Sequence, residues 1–334
     1  MAGFVRKRLL AIALGAFALT LAGLPQLAVA QTWAERLGYG PNSKVVLIEA
    51  PEGGLSWETT EAAAKAMAAG SVQSTALLAP CPWFGPAAKS LRDQPSLDIG
   101  LNVIVTAPYA TYRWRPTLVG FPAVSLIDAE GFFWRDAHQV AANARREDLE
   151  RELDSQLAAL ERQGIRPTHL WCYQGAIFTR ADLTAALFRV ARRHWLPVVL
   201  VDLTPERLAL LQSRGLKVDP ALTAMIDAFP LPKVDELLFS PSGDTYEEHR
   251  DAFVQQIKSL RPGLTVIHVS PAEETEAFKQ ITRHWQRHAW DAKMLADPAV
   301  KQALEADGVQ RTTWREIMRR FDGGPAPAGE DNTP

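Results

Sequence analysis

The feature that most constrains this chain is a hydrophobic period that switches repeatedly along it, from short apolar runs to amphipathic segments and back. Residues 45–50 (VVLIEA) read as a buried strand, and residues 57–69 follow as an alanine-rich helix that Gly70 ends. A second strand over 74–79 closes at Pro80-Cys81-Pro82, and 85–92 reads as a helix. Residues 97–106 are apolar nearly throughout, as parallel strands buried on both faces are. Residues 145–163 put Leu149, Leu153, Leu157 and Leu160 on one helical face, and Gly164 caps that helix. Strands are then expected at 167–173, 197–202 and 263–269, with helices at 181–195, 205–214, 246–260 and 273–295. Residues 221–240 are irregular, and the pattern closes with a helix at 298–307, a short strand at 312–314 and a helix at 315–321. Such alternation implies an α/β fold of mostly parallel strands, most simply a closed or nearly closed β/α barrel in one domain over 31–322.

In such barrels chemistry sits where strands end. The stretches to inspect are therefore 49–54, 80–84, 102–106, 171–175, Asp202 and 268–271. Residues 109–134 interrupt the alternation with aromatics, Pro and Gly, and a connection that long tends to be functional. The chain holds ten tryptophans; several lie beside Arg or Pro in loops, where flat rings suit stacking on sugars, although core packing explains most such residues. A net charge of -2 with no basic block after the N-terminal segment excludes a nucleic-acid partner read from charge.

The N-terminal thirty residues carry an export signal pattern: Arg6, Lys7 and Arg8, an apolar run over 9–23, then Ala28-Val29-Ala30 before Gln31. The run falls short of the roughly 20 residues a membrane span needs. The expected product is periplasmic or secreted, cleaved near Ala30 and without a stable membrane anchor. Residues 323–334 are Gly, Pro and acidic residues, the composition of a disordered tail. Cys81 and Cys172 each follow a strand pattern, and nothing in the sequence brings them within bridging distance.

Read together, the strand ends resemble the YdjC-like carbohydrate deacetylase family, the chitooligosaccharide deacetylase type, over about residues 44–319. The segments that carry the resemblance are Pro80-Cys81-Pro82-Trp83-Phe84, Tyr112-Arg113-Trp114-Arg115-Pro116 and residues 125–131 (SLIDAEG). Residues 164–170 (GIRPTHL), His268-Val269 and Thr313-Trp314-Arg315-Glu316 complete the set. The resemblance implies a (β/α) barrel of the glycoside hydrolase/deacetylase type. It also implies metal-assisted hydrolysis of an N-acetyl sugar, in which an Asp and two His hold a divalent ion, a second Asp is the base and a late His donates a proton.

Carried over by position, that machinery is largely replaced. The paired aspartates fall on Pro51 and Glu52, the two metal histidines on Asn102 and Tyr173, and the late histidine on His268. Proline cannot act as a base, and carboxamide and phenol groups are poor ligands for zinc. The resemblance therefore implies a non-catalytic homologue that binds a saccharide or N-acetyl sugar through Trp83, Tyr112, Arg113, Trp114, Arg115 and Trp171. No cofactor is expected, and a divalent metal (zinc or magnesium) only where the site still works. The alternative is an altered hydrolase of N-acetylated sugars using Glu52 and His268. Glu49 shares a strand face with Pro51 and is a second candidate base, with pairing to a nearby Arg as its plainer reading. His169 has no partner identifiable in sequence, and His268 reads equally as a structural histidine. A third class is a platform whose barrel only presents a surface.

Overall fold

A computed structural model describes residues 31–324 except 95, 119–122, 214–218 and 307. The expected export signal at 1–30 and all but the first two residues of the expected tail lie outside the described residues. Strand β1 (Lys44–Gly53) is central. Around it stand β2 (Ser74–Leu77), β3 (Asp98–Val103), β4 (Leu170–Cys172), β5 (Glu236–Phe239), β6 (Gly263–His268) and β7 (Val309–Arg311). The strand order is β4-β3-β2-β1-β6-β5, every pairing is parallel, and β7 pairs with the start of β1. Isolated bridges Leu170↔Val198 and Val201↔Val234 carry residues 198–201 across the gap between β4 and β5. The ring is thereby closed as a parallel β/α barrel.

Alternation along β1 divides the core into two layers. Val46, Ile48 and Ala50 pack outward against the surrounding helices with Phe253, Ile257, Met294 and Val300. Val45 and Leu47 point into the barrel with Ala76, Trp171, Val199, Val234, Leu264 and Val266. Trp33, Leu37, Trp314 and Ile317, from the short Trp33–Arg36 helix and the Trp314–Phe321 helix, join this inner cluster and plug the end where β1 begins. The Leu149, Leu153, Leu157 and Leu160 stripe is fully buried on the Arg146–Arg162 helix, as its period requires.

Several element boundaries differ from the sequence reading. Residues 197–202 make bridges rather than a continuous strand, since each edge is contacted for only one or two residues. The single helix expected at 273–295 is two, Glu276–Ile281 and Trp285–Leu295, with Thr282 leaving helical geometry between them. The irregular 221–240 stretch contains the Pro220–Asp227 helix, N-capped by Asp219, and β5. The closing strand is β7, and Thr313 is not part of a strand: its side chain accepts from the Glu316 amide and caps the last helix. Both cysteines are free and buried. Among the described residues no helix is long and apolar enough to cross a membrane.

Candidate functional site

Inward-facing positions at the strand ends are Glu49 and Pro51 on β1, Asn102 on β3, Trp171 on β4 with Tyr173 just beyond it, and His268 ending β6. Strict alternation would turn Glu52 away from them. Between Ala50 and Gly53, however, β1 holds one residue more than β2, since Ala50 pairs with Thr75 and Gly53 with Leu77. This bulge re-aims the strand end, as bulges beside functional sites do. Glu52 consequently acts electrostatically on Tyr109, Tyr173, Cys81 and His268 together.

Asn102 lies in register with Trp171 and donates its Nδ2 to the Pro51 carbonyl at 2.6 Å. That carbonyl can only accept, so the amide orientation is fixed and Oδ1 faces away from it. Asn102 Oδ1, Glu52 Oε2 and His268 Nδ1 are buried atoms with no hydrogen-bond partner among the described residues. The Tyr109 and Tyr173 hydroxyls are 3.5 Å apart. Burial first, then neighbouring Glu52, pushes the Tyr109 phenol well above its ordinary range; burial, then Tyr109 and Glu52, does the same for Tyr173. Both therefore stay protonated at neutral pH.

His268 packs between Trp171 and Phe239, with ring centroids 5.1 and 5.3 Å away, and its Nε2 lies 3.1 Å from Ser270 Oγ. His288, from the Trp285–Leu295 helix, contacts the Ser270 carbonyl through Nδ1 at 2.7 Å, with Glu52 Oε2 3.9 Å from the same nitrogen. Burial lowers the His268 pKa, opposed by Glu52 and Asp291. A histidine held neutral in the fold but protonated on unfolding contributes stability above its unfolded pKa, and that stability is lost as pH falls through the folded value. Wild-type protein is therefore expected to lose more thermal stability than His268→Gln between about pH 7 and pH 5, below the ordinary histidine value. Equal losses in parallel melts would show that His268 does not titrate this way.

The other sequence candidates divide by depth. Trp83 and Tyr112 are half-buried at the mouth, and Tyr112 donates to the Leu55 carbonyl at 2.7 Å. Trp114 and Trp171 are only 3% and 6% exposed, so their faces are largely occupied by packing. Arg113 binds Asp128 at 2.5 Å, Glu130 at 3.2 Å and the Phe133 carbonyl at 2.8 Å, which pins the aromatic segment to itself. Arg115 is exposed, with its guanidinium over the Phe132 ring at 4.4 Å.

Glu49 and His169 form a separate pair deeper in the barrel. His169 Nε2 lies 2.5 Å from Glu49 Oε1, both side chains are fully buried, and Trp314 donates to Glu49 Oε2 at 3.2 Å. The His169 ring stacks on Trp314 at 5.1 Å and lies against Gly100, where any Cβ would strike the imidazole. His169 thus has the partner the sequence did not reveal, and Glu49 is paired with a histidine rather than an arginine. Among the described residues no group of three or more His, Cys, Asp or Glu is placed to hold a metal ion.

Tyr109, His288 and Phe239 were not singled out by sequence. Phe239 is 55% exposed beside His268, and the only sequence hint was its place before Ser240-Pro241 in an irregular stretch.

Comparison with known proteins gives a consistent result. The model of the family described as YdjC-like protein matches residues 45–306. A carbohydrate deacetylase of Thermus thermophilus is 30% identical over 290 residues, covering 85% of this chain and 97% of the relative. One of Geobacillus stearothermophilus is 26% identical over 251 residues, covering 75% of this chain and 88% of its own length. A crystal structure from Enterococcus faecalis, that of a proposed cellobiose-phosphate cleavage protein, superposes with a TM-score of 0.65 at 21% identity. It covers 82% of this chain and 99% of its own, and shares the fold. The chain belongs to the YdjC-like family.

Proposed function

We propose that this protein is an exported, carbohydrate deacetylase-like pseudoenzyme that binds a saccharide at the strand ends of its barrel without metal-dependent deacetylation. The observation that carries the reading is the donor set at the three positions where the family resemblance puts metal ligands. Zinc is taken by thiolate, imidazole and carboxylate groups. Here Glu52 supplies one carboxylate, Asn102 a carboxamide whose N–H serves the Pro51 carbonyl, and Tyr173 a phenol kept protonated by its surroundings. The residues present do not fit a zinc ion of the family type, which asks for two imidazoles beside its carboxylate. Pro51 stands at the position of the base and has no proton-accepting side chain.

What remains suits a sugar. Half-buried Trp83 and Tyr112 and exposed Phe239 offer ring edges and faces at the mouth, while Glu52, Asn102 and the tyrosine hydroxyls offer hydrogen bonds below. Calorimetric titration with β-1,4-linked amino-sugar oligomers tests this. Binding is expected, and Phe239→Ala should weaken it by about 3–10-fold, the loss of one aromatic contact. A folded protein that binds none of these glycans would refute the reading. A second reading, an altered hydrolase of N-acetylated sugars, is favoured by one observation: Glu52 and His268 face each other electrostatically across the strand ends. It requires turnover that Glu52→Gln or His268→Ala abolishes.

A further inference from the structure

We infer that the position at which the family resemblance puts the metal is here a receptor for a primary ammonium, so the preferred saccharide carries a free amine rather than an N-acetyl group. The inference rests on the saccharide-binding reading and adds the chemical class of the ligand.

An ammonium presents three N–H donors and needs three acceptors. Three separate strand ends supply them. Glu52 Oε2 comes from the bulge of β1 and has no hydrogen-bond partner among the described residues. Asn102 Oδ1 comes from β3, on a side chain 1% exposed, and its orientation is imposed by the 2.6 Å bond from Nδ2 to the Pro51 carbonyl. The Tyr109–Tyr173 pair comes from beyond β3 and β4. One hydroxyl donates to the other, so the pair keeps oxygen lone pairs and one O–H still free to donate. A buried acceptor left without a donor is costly, so these two oxygens favour an occupant that brings donors.

No cationic side chain among the described residues hydrogen-bonds Glu52 Oε2. His288 uses Nδ1 on the Ser270 carbonyl and is 3.9 Å from Glu52 Oε2, beyond hydrogen-bond reach. Arg287 donates to the Ser240 carbonyl. His268 Nδ1 is the third unpartnered atom, and in the tautomer whose Nε2–H donates to Ser270 Oγ it is a further acceptor. An N-acetyl group brings a single N–H, so it serves only one of the two unpartnered oxygens, Glu52 Oε2 or Asn102 Oδ1. An ammonium, with three N–H donors, satisfies both oxygens and a tyrosine lone pair together.

The test is calorimetric titration of the purified protein with a β-1,4-linked glucosamine tetramer and with its fully N-acetylated counterpart. It is run near pH 6, below the ordinary amine pKa. The amine tetramer is expected to bind about 10-fold or more tightly, the range of a hydrogen bond to a charged group. Glu52→Gln should weaken the amine tetramer more than the acetylated one and reduce the preference to within about 2-fold, with circular dichroism melts reporting its folding. Equal or tighter binding of the acetylated tetramer by wild type overturns the inference and leaves the saccharide reading standing. Binding of neither overturns both. A preference retained in a folded Glu52→Gln also overturns it, because the amine would then be read elsewhere.

Discussion

His169→Ala should cost about 2–5 kcal/mol of folding stability, because it removes a packed ring and leaves a buried polar group short of a partner. Glu49 would keep only the Trp314 indole N–H, in a position with no access to water. The variant also loses the imidazole that stacks on Trp314 and fits against Gly100. His169→Gln retains a donor toward Glu49 and should recover part of the loss. Urea unfolding of the three proteins measures it. A loss below about 1 kcal/mol would contradict this, because that is no more than one ordinary hydrogen bond is worth.

The pair also shows what a sequence can and cannot disclose about a barrel. Period alone makes the strand–helix order legible, and with it the faces of β1, β3 and β4, because side-chain direction follows from alternation. Glu49, Asn102, Tyr173 and His268 were therefore locatable at strand ends. The partner of His169 was not, since it lies 120 residues away and the contact depends on closure of the ring. The inward aim of Glu52 depends on a bulge that leaves no compositional mark. His288 arrives from a helix outside the strands, at a point where the expected long helix is broken at Thr282. Phe239 ends a strand of four residues, too short to show a period.

The second large effect concerns the metal position. Pro51→Asp, Asn102→His and Tyr173→His combined should give a protein that retains about one zinc per chain through dialysis, by elemental analysis. The scaffold for it is in place: Asn102 sits in register with Trp171 and directly beside Pro51, with Tyr173 two residues further along the same chain. Loss of a mere outer partner of a metal ligand lowers affinity by about 10–100-fold, so two imidazole ligands gained together should raise it by about 10⁴-fold or more. Replacing Tyr173 also removes the hydroxyl that faces Tyr109, so the triple variant should bind amino sugars less well than wild type. A triple variant that folds but takes up no more zinc than wild type would show that these three positions do not converge on one point.

The triple variant bears on the proposed function, that the strand ends bind a sugar through the chain's own polar groups and do not run the family's metal-activated hydrolysis. The most direct measurement follows acetate release from an N-acetylated glucosamine oligomer, with zinc added in excess and binding followed in parallel on the same protein. A bound oligomer and no acetate above the protein-free rate are expected, with or without zinc. Zinc-dependent acetate release that Glu52→Gln abolishes would contradict it and make this chain a working deacetylase.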